Sequence, residues 1–93
     1  MPFIYELKIA AGEPSYTFVQ QLVALGSLME QGQAICTLTD GKTEFHLAAP
    51  REGLLVEWLA EHGAVLEDMD SVARVVSDGA EVAVPAIVPV RLG

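Results

Sequence analysis

Positive charge is scarce in this chain: its 93 residues hold five Lys and Arg against thirteen Asp and Glu, a formal net charge of −8. No basic surface is available to neutralise phosphates, so nucleic acid and anionic membrane are not expected partners, and a basic protein surface is the better match. Cysteine is nearly absent too. The single Cys36 cannot close an internal disulfide, which excludes a disulfide framework and fits a reducing compartment. On an apolar strand face it reads as a small structural hydrophobe. Long apolar runs are also missing, because no stretch approaches the roughly 20 residues of a membrane span. The first residues, Met1 to Lys8, lack the basic start and apolar stretch of a signal peptide. These absences lead to the expectation of a soluble, cytoplasmic protein.

What is present is a high apolar content, 52% of residues, enough for one small globular core. Its periodicity is that of strands. Tyr5, Leu7 and Ile9 alternate with Glu6 and Lys8, predicting a first strand with those apolar residues on one face. A break follows at Gly12, Glu13, Pro14 and Ser15. Residues 16–23 form the next expected strand, Leu25 to Ser27 a turn, and residues 34–39 a third strand with Ala34, Cys36 and Leu38 facing inward. Phe45 and Leu47 return inward after a hairpin tip, either Asp40-Gly41 as a type I′ turn or Gly41-Lys42 as a type II′ turn. Both registers bury the same apolar set. Residues 50–53 break the chain again, residues 54–60 form a strand, Glu61 to Gly63 a turn, and residues 72–76 a closing strand. A helix over 54–62 also fits the spacing of Leu54, Leu55, Trp58 and Leu59, but the segment's internal counterpart is β-branched, aromatic and short.

That counterpart belongs to an internal repeat. At a constant offset of 37 positions, Val19, Leu22, Gly26 and Glu30 meet Val56, Leu59, Gly63 and Glu67 identically. Leu28, Met29, Ile35 and Leu38 meet the apolar Val65, Leu66, Val72 and Val75 at the same offset. Two copies of one strand pattern are expected to pack together as a single core. The segment from Glu6 resembles that from Glu44, and the tail segment 81–86 resembles both. This third copy has no second half, so it reads as a tail that extends the domain's own sheet or is partly disordered, or as a free edge; a free edge either pairs with another chain, here as a homodimer through residues 80–86, or is guarded by charge and proline, the role open to Pro85, Pro89 and Arg91.

The order Gly26, Glu30 to Ile35, Leu38 to Lys42, Ala49 to Gly53, Glu61 to Gly63 and Val72 to Val75 resembles the biotinyl/lipoyl-carrier domain, nearer its lipoyl branch, over about residues 3–76. The resemblance implies an all-β flattened barrel, or β-sandwich, of two four-stranded antiparallel sheets with internal quasi-twofold symmetry. Residues 1–76 are then the carrier domain and 77–93 a C-terminal extension with a strand-like segment. It also implies that Lys42, on an exposed hairpin ahead of an Ala-Pro-x-x-Gly turn, carries a lipoyl group, with Asp40, Gly41 and Thr43 shaping recognition of the hairpin. Biotin is the lesser implication, because the biotinyl branch brackets its lysine with methionines and this chain does not. The family usually reads Asp-Lys-Ala, whereas here Gly41 separates Asp40 from Lys42 and Thr43 follows. Implied partners are a lipoate-attaching enzyme and components of 2-oxoacid dehydrogenase type, between which the arm carries acyl or aminomethyl groups. The domain itself is expected to catalyse nothing.

The residues also give this reading a chemical reason. A swinging arm needs an exposed, rigidly tethered amine able to form an amide, and the only other lysine, Lys8, lies within a strand. The rival is an unmodified module of the same fold that assembles through its C-terminal edge.

Other candidates are weaker. His46 and His62 have no second ligand at metal spacing and read as exposed surface. Ser15, Ser27 and Ser71 lack a nucleophile-elbow context. Glu61, Glu67, Asp68 and Asp70 read as a solvated acidic face, and Trp58 as a partly exposed core residue.

Overall fold

The computed structural model describes residues 1–13 and 15–92. Pro14, part of the break expected after the first strand, lies outside the described residues. Among these residues every regular element is a strand: β1 (Pro2–Lys8), β2 (Tyr16–Gln21), β3 (Leu28–Met29), β4 (Ala34–Thr39), β5 (Glu44–Ala48), β6 (Gly53–Trp58), β7 (Val65–Leu66), β8 (Ser71–Asp78) and β9 (Val90–Arg91). No helix of the described residues is long and apolar enough to cross a membrane. Residues 54–58, where a helix also fitted the spacing, are extended in β6.

The strands form two antiparallel sheets, ordered β1-β8-β6-β3 and β7-β2-β4-β5-β9. Their inner faces meet over Leu7, Ile9, Phe18, Met29, Ile35, Leu38, Leu47, Leu55, Val72 and Val75, each at most 1% exposed. Burying a side chain of this size contributes about 1.5–3 kcal/mol, the main force holding the sheets together.

Both sheets follow one pairing scheme. β2 pairs with β4, and β6 with β8, in registers displaced by the same 37 positions, Phe18↔Leu38 answering Leu55↔Val75. Each pair carries a bulge at the corresponding place, between Phe18 and Gln20 and between Leu55 and Glu57. The two-residue strands β3 and β7, which sequence periodicity is too short to reveal, occupy corresponding edges. The likeness extends to side chains: Gln21 Nε2 donates to Ala60 O at 3.2 Å, and Trp58 Nε1 to Val23 O at 3.0 Å. Trp58 thereby satisfies its N–H while packing edge-on against Phe18, ring centroids 5.8 Å apart.

Several expectations change. The fold is an open sandwich, not a closed barrel, and its second sheet has five strands instead of four. Closure would require the edges of β1 and β5 to bond each other. Instead, the tail runs between them: Ile87 N–H donates to Lys8 O, Ala10 N–H donates to Ile87 O, and β9 then pairs with β5. The tail strand is thus Val90–Arg91, and residues 80–86 contain no strand; part of that segment, residues 82–85, lines a surface depression with Pro50, Arg51 and Asp78.

A bulge between Ala34 and Cys36 turns both Ile35 and Cys36 into the core, each 0% exposed, whereas Ala34 is only half-buried. The alignment of β1 with β5 also slips. Leu7 pairs with Ala73 and Leu47 with Cys36, so Leu7 corresponds to Leu47, not to Phe45. A slip of two residues leaves every side chain on its own face, and alternation therefore cannot detect it.

Candidate functional site

The β4–β5 hairpin is closed by side chains. Pairing ends at Thr39↔Glu44, which leaves Asp40, Gly41, Lys42 and Thr43 at the tip. Asp40 N–H donates to Thr43 O at 3.3 Å, the register of a Gly41-Lys42 tip. Gly41 has φ +98° at the first central position, where a type II′ tip needs a residue tolerant of positive φ. The bond from Thr43 N–H goes to the Asp40 side chain: Oδ1 accepts from Lys42 N–H and from Thr43 N–H, both at 2.8 Å. These backbone donors, Thr43 first and Lys42 second, hold the Asp40 carboxyl below its ordinary pKa.

Thr39 is a residue that sequence reading missed. Its hydroxyl accepts from Gly41 N–H and donates to Thr43 O, both at 3.0 Å, clamping the stem from inside. The signal was a threonine directly ahead of Asp-Gly, since hydroxyls bond local backbone in turns. Below the tip, Tyr16 meets Phe45 edge-to-face at 5.1 Å, and Leu92 N–H donates to Glu44 O at 2.9 Å. Its two sheet neighbours, β2 and the tail strand β9, therefore hold the stem in place. Lys42 itself is exposed, and among the described residues it forms no ion pair. Lys8 is also exposed but belongs to β1, its backbone paired to Ser71. The hairpin can present a free primary amine on a preformed support, which is what an amide-forming attachment requires.

Several of the remaining candidates have structural roles. His46 is half-buried rather than exposed, because β9 covers its strand edge, and its Nδ1 is enclosed without a partner among the described residues. His62 is exposed and donates through Nδ1 to Val19 O at 2.7 Å, which secures the β2 bulge. Asp68 Oδ1 accepts from Ala11 N–H, and Asp70 Oδ2 from Glu67 N–H, so part of the acidic stretch ties two loops. Ser71 donates to Glu6. Burial pushes the Cys36 thiol up to about 12 and leaves it inert. Among the described residues no three His, Cys, Asp or Glu gather to hold a metal.

Neither a curated protein nor a solved structure matches the chain. A family model does: the model described as biotin-requiring enzyme, the biotin/lipoyl attachment domain, matches residues 7–75 and so spans both sheets and the hairpin. Domains of this family are carriers within enzyme complexes, bearing covalently attached biotin or lipoate while other components do the chemistry. By that match, over most of its length, the chain belongs to the biotin/lipoyl attachment domain family.

Proposed function

We propose that the chain is an internally repeated, cytoplasmic lipoyl-type carrier whose arm is attached at Lys42. One observation supports this most: the exposed amine of Lys42 tops a hairpin that Asp40 and Thr39 close from both sides, within a chain of this family. In the attachment step Lys42 Nζ, as the free amine, attacks an activated lipoyl carbonyl. A C–N amide bond forms, the activating group leaves with the bonding pair, and the amine's proton passes to solvent. Once attached, the group supplies a dithiolane able to take and release acyl or aminomethyl groups.

The chain's own residues keep the attachment point outside the core, fix the direction from which the arm leaves, and raise its local concentration at each partner site. Asp40, Gly41 and Thr43 give the modifying enzyme its surface to read. Gly41 and Thr43 flank the lysine where methionines would favour biotin, which supports the lipoyl branch. The partners proposed are a lipoate-attaching enzyme and components of 2-oxoacid dehydrogenase type.

Intact mass of the protein purified from its native host, with peptide mapping across Lys42, tests the proposal. A lipoyl or octanoyl increment on Lys42, absent in Lys42→Arg and retained in Lys8→Arg, is expected. A biotin increment would reassign the arm. An unmodified mass in cells whose other lipoyl proteins are fully modified would overturn the carrier reading.

A further inference from the structure

The backbone donors of the Lys42 tip are all turned inward. Asp40 N–H donates to Thr43 O, Gly41 N–H to the Thr39 hydroxyl, and the N–H groups of Lys42 and Thr43 to Asp40 Oδ1. A two-residue hairpin turn by itself bonds only its outer pair and leaves the amides of both central residues to solvent. Here Thr39 and Asp40 capture those two as well.

The acceptors are arranged the opposite way. Thr43 O takes Asp40 N–H at 3.3 Å and the Thr39 hydroxyl at 3.0 Å, whereas the carbonyls of Gly41 and Lys42 accept no hydrogen bond among the described residues. Gly41 and Lys42 are both exposed. Each carbonyl oxygen carries two lone pairs, so the surface around the lysine amine offers backbone acceptors without an available backbone donor. A protein that grips this main chain must bring donors of its own.

The internal repeat shows that the Thr39 hydroxyl is not required by the fold. The registers Thr17↔Thr39 and Leu54↔Val76 correspond at the offset of 37, so Val76 holds the matching place, half-buried like Thr39, and β8 continues there without a hydroxyl. The sheet accepts valine at this position. The hydroxyl therefore serves the tip rather than the strand. Gly41 explains the need, because glycine reaches φ +98° without strain but visits other conformations as readily, and a bond to its amide restrains it.

On the reading that Lys42 is an attachment site, we infer that the lipoate-attaching enzyme grips the tip by donating hydrogen bonds to the carbonyls of Gly41 and Lys42, and that Thr39 is the positioning residue that keeps them outward. The recognised surface is main chain, which leaves the Lys42 amine free to form its amide.

The test has two arms. In the first, the full chain labelled with ¹³C and ¹⁵N is titrated with a lipoate-attaching enzyme in the absence of activated lipoate. The carbonyl ¹³C signals of Gly41 and Lys42 should move downfield, while the amides of residues 40–43 remain protected from exchange. Loss of that protection on binding, or shifts centred on another face, would overturn the inference. This arm needs no variant. The second compares steady-state attachment to Thr39→Val, Thr39→Ser and Thr37→Val, the last removing a hydroxyl from the same face of β4. Thr39→Val loses two hydrogen bonds and forms the competent tip only part of the time, so KM for the chain should rise at least ~10-fold with kcat held. Exchange of the Gly41 amide should quicken in the same variant. Thr39→Ser keeps the hydroxyl and should restore the parent KM, and Thr37→Val should match the parent. An unchanged KM in Thr39→Val, or an equal rise in Thr37→Val, would overturn the inference while leaving the carrier reading in place. A parent chain that the enzyme leaves unmodified would remove both.

Discussion

Replacing Gly53 by alanine puts one methyl group where the sandwich has no room. An ideal Cβ there would lie 2.5 Å from Val75 Cγ1 and 3.0 Å from the carbonyl oxygen of Val76. Comfortable carbon contacts begin near 3.5 Å, so Val75 would have to retreat by about 1 Å. It has little freedom to do so: Val75 is 0% exposed and stiff at χ1 as a β-branched residue. The Val76 carbonyl belongs to the central strand β8, paired on both sides, and cannot swing away. Overpacking of this kind costs about 1–3 kcal/mol, and two contacts, one of them backbone, place Gly53→Ala near the top of that range. For a domain of this size each kcal/mol moves Tm by about 4–8 °C, so a fall of roughly 12–24 °C is expected in a thermal melt followed by circular dichroism. Adding Val75→Ala removes the closer contact, and the double variant should be less destabilised than the sum of the single changes by at least ~1 kcal/mol. A Tm within ~3 °C of the parent, or strict additivity, would refute the packing argument.

Met69 holds φ +69°, the conformation that Gly32 adopts at the corresponding turn. Met69→Gly should therefore gain up to ~1 kcal/mol and Gly32→Ala lose about as much in urea unfolding, and opposite signs would reject the strain account. The Asp40 carboxyl has a lowered pKa in the folded hairpin, so its contribution is present above the ordinary carboxylate range and is lost as pH falls through the folded value. Amide shifts of Lys42 and Thr43 should titrate together below that range, while Asp40→Asn, which keeps the acceptor oxygen, should remain flat; equal titration in the variant would assign the effect elsewhere. With its thiol pushed up to about 12, Cys36 should resist an aromatic disulfide reagent at pH near 8 and react fully only on unfolding. Rapid stoichiometric reaction of the native protein would contradict its burial.

Much of the fold is written in contiguous residues. Alternation in residues 5–9, 34–39 and 43–47 marks strands because one face of each must be buried, and the glycines at 26, 41 and 63 mark turns because each takes positive φ. The hairpin was legible for the same reason: Asp40, Gly41, Lys42 and Thr43 are neighbours in sequence, and their hydrogen bonds are local. Thr39 was overlooked although it lies one residue away, because a threonine ending a strand looks like any other β-former until its hydroxyl is seen turned into the tip. Bulges hid the burial of Ile35, and a slip of two residues hid the true counterpart of Leu7, since neither changes the local apolar pattern.

By itself, then, the sequence determined the strand-rich class, the shared pattern of its two halves and the exposed lysine tip, all of which rest on short-range periodicity and turn chemistry. Tertiary structure decided which edge the tail occupies, leaving an open sandwich where a barrel was expected. That outcome depends on residues far apart in the chain, brought together by pairing registers that alternation alone does not specify.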